Sequence, residues 1–291
     1  MSFPFIVVDQ NQLQRADLIS SVLDRCCREN LHVLIADGAG FEFSDVADPL
    51  LTWRKGLQHL APYAELVVVS RKISDLWRDE ISSAAVSTDI VEHGATKLFR
   101  QLLRQVAVGD ESGIRAIVEG PLKKLLPVSQ AVWSDNDQIK SALRRVHDSL
   151  KSSLAKETIK RLRQARDEVI VEWLCSTDGV RFVFQGIQDR CRDAERVALA
   201  LTVEPSVIGG FVSGLAALGL DWLALGGFDA TGPKVITNDL HDLECAILGA
   251  MSDSLATHDK RAIRICHAIK RSMDGRAKWF RRAITFGPQN A

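Results

Sequence analysis

Five acidic side chains lie at or shortly after the ends of predicted strands, or at the start of a helix that leads into one. Asp9 ends the apolar run FPFIVVD, and Asp259 ends SLATHD. Glu42 follows the run LHVLIAD by a few residues, while Asp239 and Asp242 lie at the start of the predicted helix LECAILGAM. In open parallel sheets, functional sites form outside the carboxyl ends of the strands. We therefore expect these carboxylates to face one another at one edge of a sheet.

Carboxylates gathered in this way repel one another, and burying them without compensation costs on the order of several kcal/mol. A divalent cation removes this penalty, and oxygen ligands favour Mg²⁺ or Mn²⁺. Such a site activates water and stabilises the charge that develops during phosphodiester hydrolysis. Because a metal-activated water needs no additional base, we interpret the neighbouring His241 and His258 as solvated loop residues.

Three of these acids also have a purely structural explanation. Asp9 can cap a helix that begins near Gln12, and Asp259 can cap the basic helix that follows it. Asp242 and Glu244 can be first-turn charges that interact favourably with a helix dipole. The occurrence of all the acids in this order favours the metal site.

The elements that must position these acids follow an α/β pattern. Five β-branched or apolar runs indicate strands, and the intervening segments show the periodicity of amphipathic helices. The predicted strands are 3–9, 31–37, 64–70, 254–259 and 283–286. Strands that alternate with helices in this rhythm predict a three-layer α/β fold, with a parallel sheet of about five strands and helices on both faces.

The middle of the chain is different, because strand signals almost disappear there. Apolar residues recur every three or four positions, which predicts a long helix. They are Ile139, Leu143, Val146, Leu150 and Leu154. We therefore predict three segments: residues 1–109 form the first part of the α/β core, 110–227 a mostly α-helical insertion, and 228–291 the second part of the core with the last acidic motif.

Composition is that of a soluble globular protein, with 46% hydrophobic and 25% charged residues and a formal net charge of zero. No overall charge therefore attracts the chain to nucleic acid or to a membrane. Two local segments are basic, 140–166 and 260–282, and each is either a solvated helix face or a clamp for a nucleic-acid backbone.

Membrane insertion is not expected. The apolar segment 207–228 is almost long enough to span a bilayer, but Asp221 interrupts it, so we interpret it as a buried helix and turn. The six cysteines contain no C-x-x-C pair and are interpreted as free thiols in a reducing compartment. We accordingly predict a cytoplasmic protein.

Three short motifs resemble those of the PIN-domain nucleases. VVDQNQL resembles the opening D-x-N motif of that family, and FEF resembles its acidic position after the second strand. NDLHDLECAI followed by LATHDK is similar to its closing motif, in which a helix-borne aspartate precedes a strand that ends in T-x-D. The matching residues are Asp9, Asn11, Glu42, Asp242, Thr257 and Asp259.

The resemblance covers about the first hundred and the last sixty residues, and it implies a metal-dependent endoribonuclease on a five-stranded parallel sheet. It implies that Mg²⁺ or Mn²⁺ is held by Asp9, Glu42, Asp242 and Asp259. Asn11 and Thr257 would support these ligands, and we add Asp239 to the supporting set. Lys260, Arg261 and Arg264 adjoin Asp259 and are candidates for contacts with an RNA backbone.

Two features depart from the family pattern. The helical insertion is large, and Asp75 or Glu80, after the third predicted strand, compete with Glu42 as the second acid. An alternative function is therefore an inactive PIN-like scaffold, which would bind a protein partner or form a homodimer through the insertion. A further alternative is a DNA or flap-type nuclease that uses the same carboxylates.

Overall fold

The computed structural model describes residues 3–9, 12–36, 49–122, 137–191, 195–230 and 233–286. Its strands are β1 Phe3–Val8, β2 His32–Ile35, β3 Val67–Val69 and β4 Ser252–Ala256. Its α-helices are α1 Ala16–Glu29, α2 Pro49–Leu57, α3 Ile73–Ser83, α4 His93–Val108, α5 Glu111–Ile117, α6 Asp137–Ser153, α7 Lys156–Gln164, α8 Arg166–Cys175, α9 Thr177–Gln188, α10 Glu195–Val203, α11 Val207–Ala224, α12 Pro233–Met251 and α13 Lys260–Phe286.

The strands form one parallel sheet in the order β3-β2-β1-β4. The predicted parallel α/β sheet is thereby confirmed, but the predicted fifth strand is wrong: the described residues contain four strands, and 283–286 belongs to α13. No glycine or proline separates AITF from the helical residues before it, so the helix continues through it until Gly287 and Pro288 follow in the sequence.

Both faces of the sheet are covered by helices, which gives three layers. Along β1, Ile6 and Val8 point to one face, whereas Phe5 and Val7 point to the other, as the two-residue period of a strand requires. Helices α1, α2, α4 and α5 pack on the face of Ile6. Helices α3, α11, α12 and α13 pack on the face of Val7.

The middle segment of the chain contributes to the second of these layers. Leu143 and Leu150 of α6 are buried in the same hydrophobic core as Val7. The side chain of Leu150 packs over Gly219 of α11, where an added Cβ would lie 2.5 Å from Leu150 Cδ1. These two residues of the predicted apolar stripe are therefore buried within the protein. The division of the chain into three segments stays a prediction.

Helix α11 is a core helix in this structure. It is long and apolar enough to cross a membrane by length and composition, yet 89% of its span is buried inside the protein. The helix passes through Gly219 without a break and ends before Gly226 and Gly227, which have φ of +111° and +108°. Glycine adopts such angles without the steric cost that a Cβ imposes.

The first turn of α11 is held by a buried carboxylate from α3. Glu80 is 0% exposed and accepts hydrogen bonds from the backbone N–H groups of Val207 at 2.8 Å, Ile208 at 2.9 Å and Ser87 at 3.1 Å. Burial raises the pKa of Glu80, and the three N–H donors oppose that rise. Glu80 is thus a helix cap that connects α3 to the core helix.

Replacing Glu80 with alanine is expected to destabilise the protein by about 2–4 kcal/mol, because buried N–H groups of α11 lose their acceptor. Chemical denaturation of the purified variant measures this change. Asp75→Ala is the matched control, because Asp75 lies on the same helix but is 47% exposed and forms a surface ion pair with Arg78. An equal effect of the two substitutions would contradict the capping role.

Candidate functional site at the carboxyl edge of the sheet

The strand order creates a topological switch point between β1 and β4. From β1 the chain moves to β2 and β3 on one side, and it later returns to β4 on the other side of β1. Ligands of open α/β sheets bind outside the carboxyl ends of the strands at such a point. Asp9 directly follows β1, and Thr257 directly follows β4, so both lie at this position.

Asp9 and Thr257 are in direct contact. Asp9 is 5% exposed, and its backbone N–H donates to Ala256 O at 3.2 Å, which extends the pairing of the two strands by one residue. The hydroxyl of Thr257 donates to Asp9 Oδ2 at 2.8 Å and accepts from the backbone N–H of Asp259 at 3.0 Å. Thr257 therefore fixes the Asp9 carboxylate and links it to the start of α13.

Asp259 caps α13, as its structural explanation predicts. Its Oδ1 atom accepts from the backbone N–H groups of Arg261 at 2.6 Å and Ala262 at 3.0 Å. The residue is exposed, so the cap lies at the surface of the protein. The sequence motif THD thus brings together a hydroxyl that holds Asp9 and a carboxylate that begins the last helix.

The two histidines near the acids occupy different environments. His258 is exposed, and its Nδ1 lies 2.6 Å from Oε1 of the buried Gln12, which joins the segments after β1 and β4. His241 lies within α12 and is half-buried, and burial lowers its pKa. The interpretation of His241 as a solvated loop residue is therefore wrong, because its helix packs against the core.

Asp239 lies in a buried polar cluster. It is 3% exposed and accepts from Trp222 Nε1 at 2.8 Å and from the guanidinium of Arg261. Burial raises the pKa of Asp239, while the Trp222 hydrogen bond and the Arg261 charge lower it. Arg261 also pairs with Asp221 at 2.8 Å, so it bridges α12 and α11 from the first turn of α13.

Asp221 is the centre of this cluster, and it was not among the residues proposed from the sequence. It is 0% exposed and pairs with Arg166 at 3.2 Å, Arg261 at 2.8 Å and Arg264 at 3.0 Å. Arg264 pairs in addition with Asp167. The sequence feature that could have revealed this cluster is a single acid, Asp221, inside an apolar helix. A second feature is the pair of arginines three residues apart at the start of α13.

The residues expected to contact an RNA backbone differ in their surroundings. The side chains of Arg261 and Arg264 are 19% and 20% exposed, and their guanidinium groups are paired with carboxylates of the protein. Lys260 is exposed at the first position of α13. Of the three, Lys260 has the most accessible charge.

The proposed ligand set is only partly covered by the structure. Asn11 and Glu42 lie outside the described residues, and Asp242 is half-buried on α12. Within the part of the chain that the structure describes, no group of three or more His, Cys, Asp or Glu side chains is arranged to hold a metal ion. Asp9, Asp242 and Asp259, which are all described, are therefore not gathered into one such group.

The competing candidates for the second acid have other contacts. Glu80 is engaged with the backbone of α11, and Asp75 pairs with Arg78 at the surface of α3. What the carboxyl edge offers is a buried aspartate, a hydroxyl that orients it and a second aspartate two residues beyond that hydroxyl. Oxygen donors of this kind suit a hard divalent cation.

No protein-family model matches this chain, and no curated protein or solved structure is significantly similar to it.

Proposed function

We propose that the protein is a metal-dependent endonuclease of the PIN type that hydrolyses RNA phosphodiester bonds. The observation that supports this function best is the position of Asp9. It is a buried carboxylate at the switch point of a parallel sheet, and Thr257 links it to Asp259. Functional residues of open α/β sheets concentrate at this point, and paired carboxylates there are suited to divalent cations.

Asp9 and Asp259 would be the central ligands of Mg²⁺ or Mn²⁺, and Asp242 and Glu42 would complete the set. The bound cation would supply Lewis acidity and an activated water for attack on phosphorus. Thr257 and Asn11 would support the ligands, and Asp239 would act at a distance by fixing Arg261 at the start of α13. Holding the carboxylates in place before the metal binds lowers the reorganisation that catalysis requires.

The alternative of an inactive scaffold has less support from the described residues. It relies on the apolar stripe of the helical insertion as a docking surface, and Leu143 and Leu150 of that stripe are buried within the chain. The alternative of a DNA or flap-type nuclease uses the same carboxylates, so the choice of substrates in the assay must separate it from an RNA nuclease.

The test is cleavage of labelled single-stranded RNA, single-stranded DNA and branched DNA by the purified protein, with Mn²⁺, with Mg²⁺ or with a chelator. We expect cleavage of RNA that stops when the metal is removed and returns when Mn²⁺ is added. Preference for branched DNA would favour the flap-type alternative. Absence of cleavage on all three substrates, without a thermal shift on Mn²⁺ addition, would refute the proposed function.

A further inference from the structure

Helix α7 exposes three basic side chains along one stripe. Lys156, Lys160 and Arg163 are separated by four and three residues and are all exposed. Residues with these spacings lie on the same face of a helix. At a rise of 1.5 Å per residue they span about 10 Å along the helix axis. We call these three residues the α7 basic stripe.

The charges of the α7 basic stripe are weakly compensated. Among the described residues, no carboxylate lies within 4.0 Å of the charged atoms of Lys156 or Arg163, and Lys160 has only Glu157 at 4.0 Å. Arg161, which follows Lys160, is not part of the stripe, and its charge is compensated because it pairs with Glu172 at 2.7 Å. The protein therefore satisfies one basic residue of α7 internally and leaves the stripe available to an anionic partner.

The same helix has no fully exposed large apolar side chain to accompany these charges, because Ile159 is half-buried. Leu162, its fully buried residue, points into the core beneath α7. Helices that bind a membrane surface insert an exposed apolar face between lipids in addition to their basic residues. A purely basic stripe instead suits a polyanion with a regular series of charges, of which a sugar–phosphate backbone is the main example.

The start of α8, which follows the end of α7 after one residue, is connected to the candidate site by ion pairs. Arg166, three residues after Arg163, pairs with Asp221 at 3.2 Å, and Asp221 pairs with Arg261 at 2.8 Å. Arg261 lies two residues after Asp259 and donates its backbone N–H to that carboxylate. These pairs fix the start of α8, and so the end of α7 just before it, near the first turn of α13, which begins beside Thr257 and Asp9.

We propose that the α7 basic stripe binds the phosphate groups of an RNA strand and directs that strand to the carboxyl edge of the sheet. The identity of the polyanion rests on the proposed function, whereas the binding surface itself is independent of cleavage. In this proposal, Arg261 and Arg264 hold the start of α13 in place. The contacts with the RNA backbone that the sequence suggested for these two arginines are made instead by α7.

The test is a triple variant, Lys156→Gln, Lys160→Gln and Arg163→Gln, in an equilibrium binding assay with a labelled single-stranded RNA. Chelator is present, so that binding is measured without cleavage. For single strands, each phosphate contact contributes about 0.7 to the slope of log affinity against log salt. Loss of three contacts is expected to reduce that slope by about 2 and, with the affinity at 1 M salt unchanged, the affinity at about 0.1 M salt by roughly a hundredfold.

A control variant carries the same charge change on the opposite side of the sheet. Arg28, Lys55 and Lys97 are exposed residues of α1, α2 and α4, and their replacement by glutamine should leave RNA affinity and its salt slope nearly unchanged. Equal effects of the two triple variants, or no RNA binding by the wild-type protein, would overturn the assignment. So would stripe-dependent binding to vesicles of anionic phospholipid with no binding to RNA. Binding to RNA that depends on the stripe, without cleavage under any metal condition, would refute the nuclease function alone.

Discussion

Replacing Asp9 with asparagine is expected to abolish RNA cleavage and to leave the protein folded. Asparagine has the same shape and keeps an oxygen that accepts the Thr257 hydroxyl, which lies 2.8 Å from Asp9 Oδ2. It lacks the negative charge that a hard cation requires. If the metal contributes at least about 4 kcal/mol to the barrier reduction, its loss lowers the cleavage rate by about a thousandfold or more.

The measurement compares single-turnover cleavage rates and Mn²⁺-induced thermal shifts of the wild type and the variant. We expect a Mn²⁺-induced rise in Tm for the wild type and none for Asp9→Asn, with similar Tm values in chelator. Asp253→Asn is the control, because Asp253 lies on the neighbouring β4 and pairs with Arg25 at 2.6 Å. Cleavage by Asp9→Asn at the wild-type rate would show that Asp9 is a structural residue.

Replacing Asp221 with alanine is expected to have the largest effect on stability. The substitution removes a completely buried carboxylate of α11 that three arginines share. Arg166 loses this partner, whereas Arg261 and Arg264 keep Asp239 and Asp167. Removing one partner of a buried ion pair costs about 3–5 kcal/mol. For a chain of this size the loss corresponds to a decrease in Tm of roughly 10 °C.

Chemical denaturation with a check for a constant m-value measures this effect. Asp229→Ala is the matched control, since Asp229 also pairs with an arginine, Arg144, but its side chain is 80% exposed. Screening by solvent makes such surface pairs weak, so little change is expected there. A similar Tm for Asp221→Ala and the wild type would mean that the buried cluster contributes little to the folded state.

The same cluster connects stability to the candidate site. Arg261 contacts Asp221 and Asp239 through its side chain and Asp259 through its backbone, so α11 and α12 both determine where α13 begins. In the proposed nuclease, α11, which lies in the segment predicted as a helical insertion, would therefore help to place a metal ligand. Retained metal-dependent activity in a folded Asp221 variant would argue against this coupling.

Local patterns in the sequence were sufficient for most of the elements. Strand and helix periods are properties of neighbouring residues, so the first three strands, the parallel sheet and the buried character of α11 could be predicted. The fifth strand was wrong because AITF is too short to be distinguished from the end of a helix. The placement of Asp9 and Asp259 at one edge could also be inferred, although the fourth strand ends at Ala256, three residues before Asp259.

The partners of the charged residues were decided only by the tertiary structure. Asp221 and Arg264 are 43 positions apart, and Glu80 and Val207 are 127 positions apart, so no local period relates them. Their pairing follows from the need to satisfy buried charges and helix ends once the core has formed. The sequence alone therefore determined where acids end the strands. The packing of α11 against α12 and α13 decided which charges the fold neutralises itself and which remain available on α7.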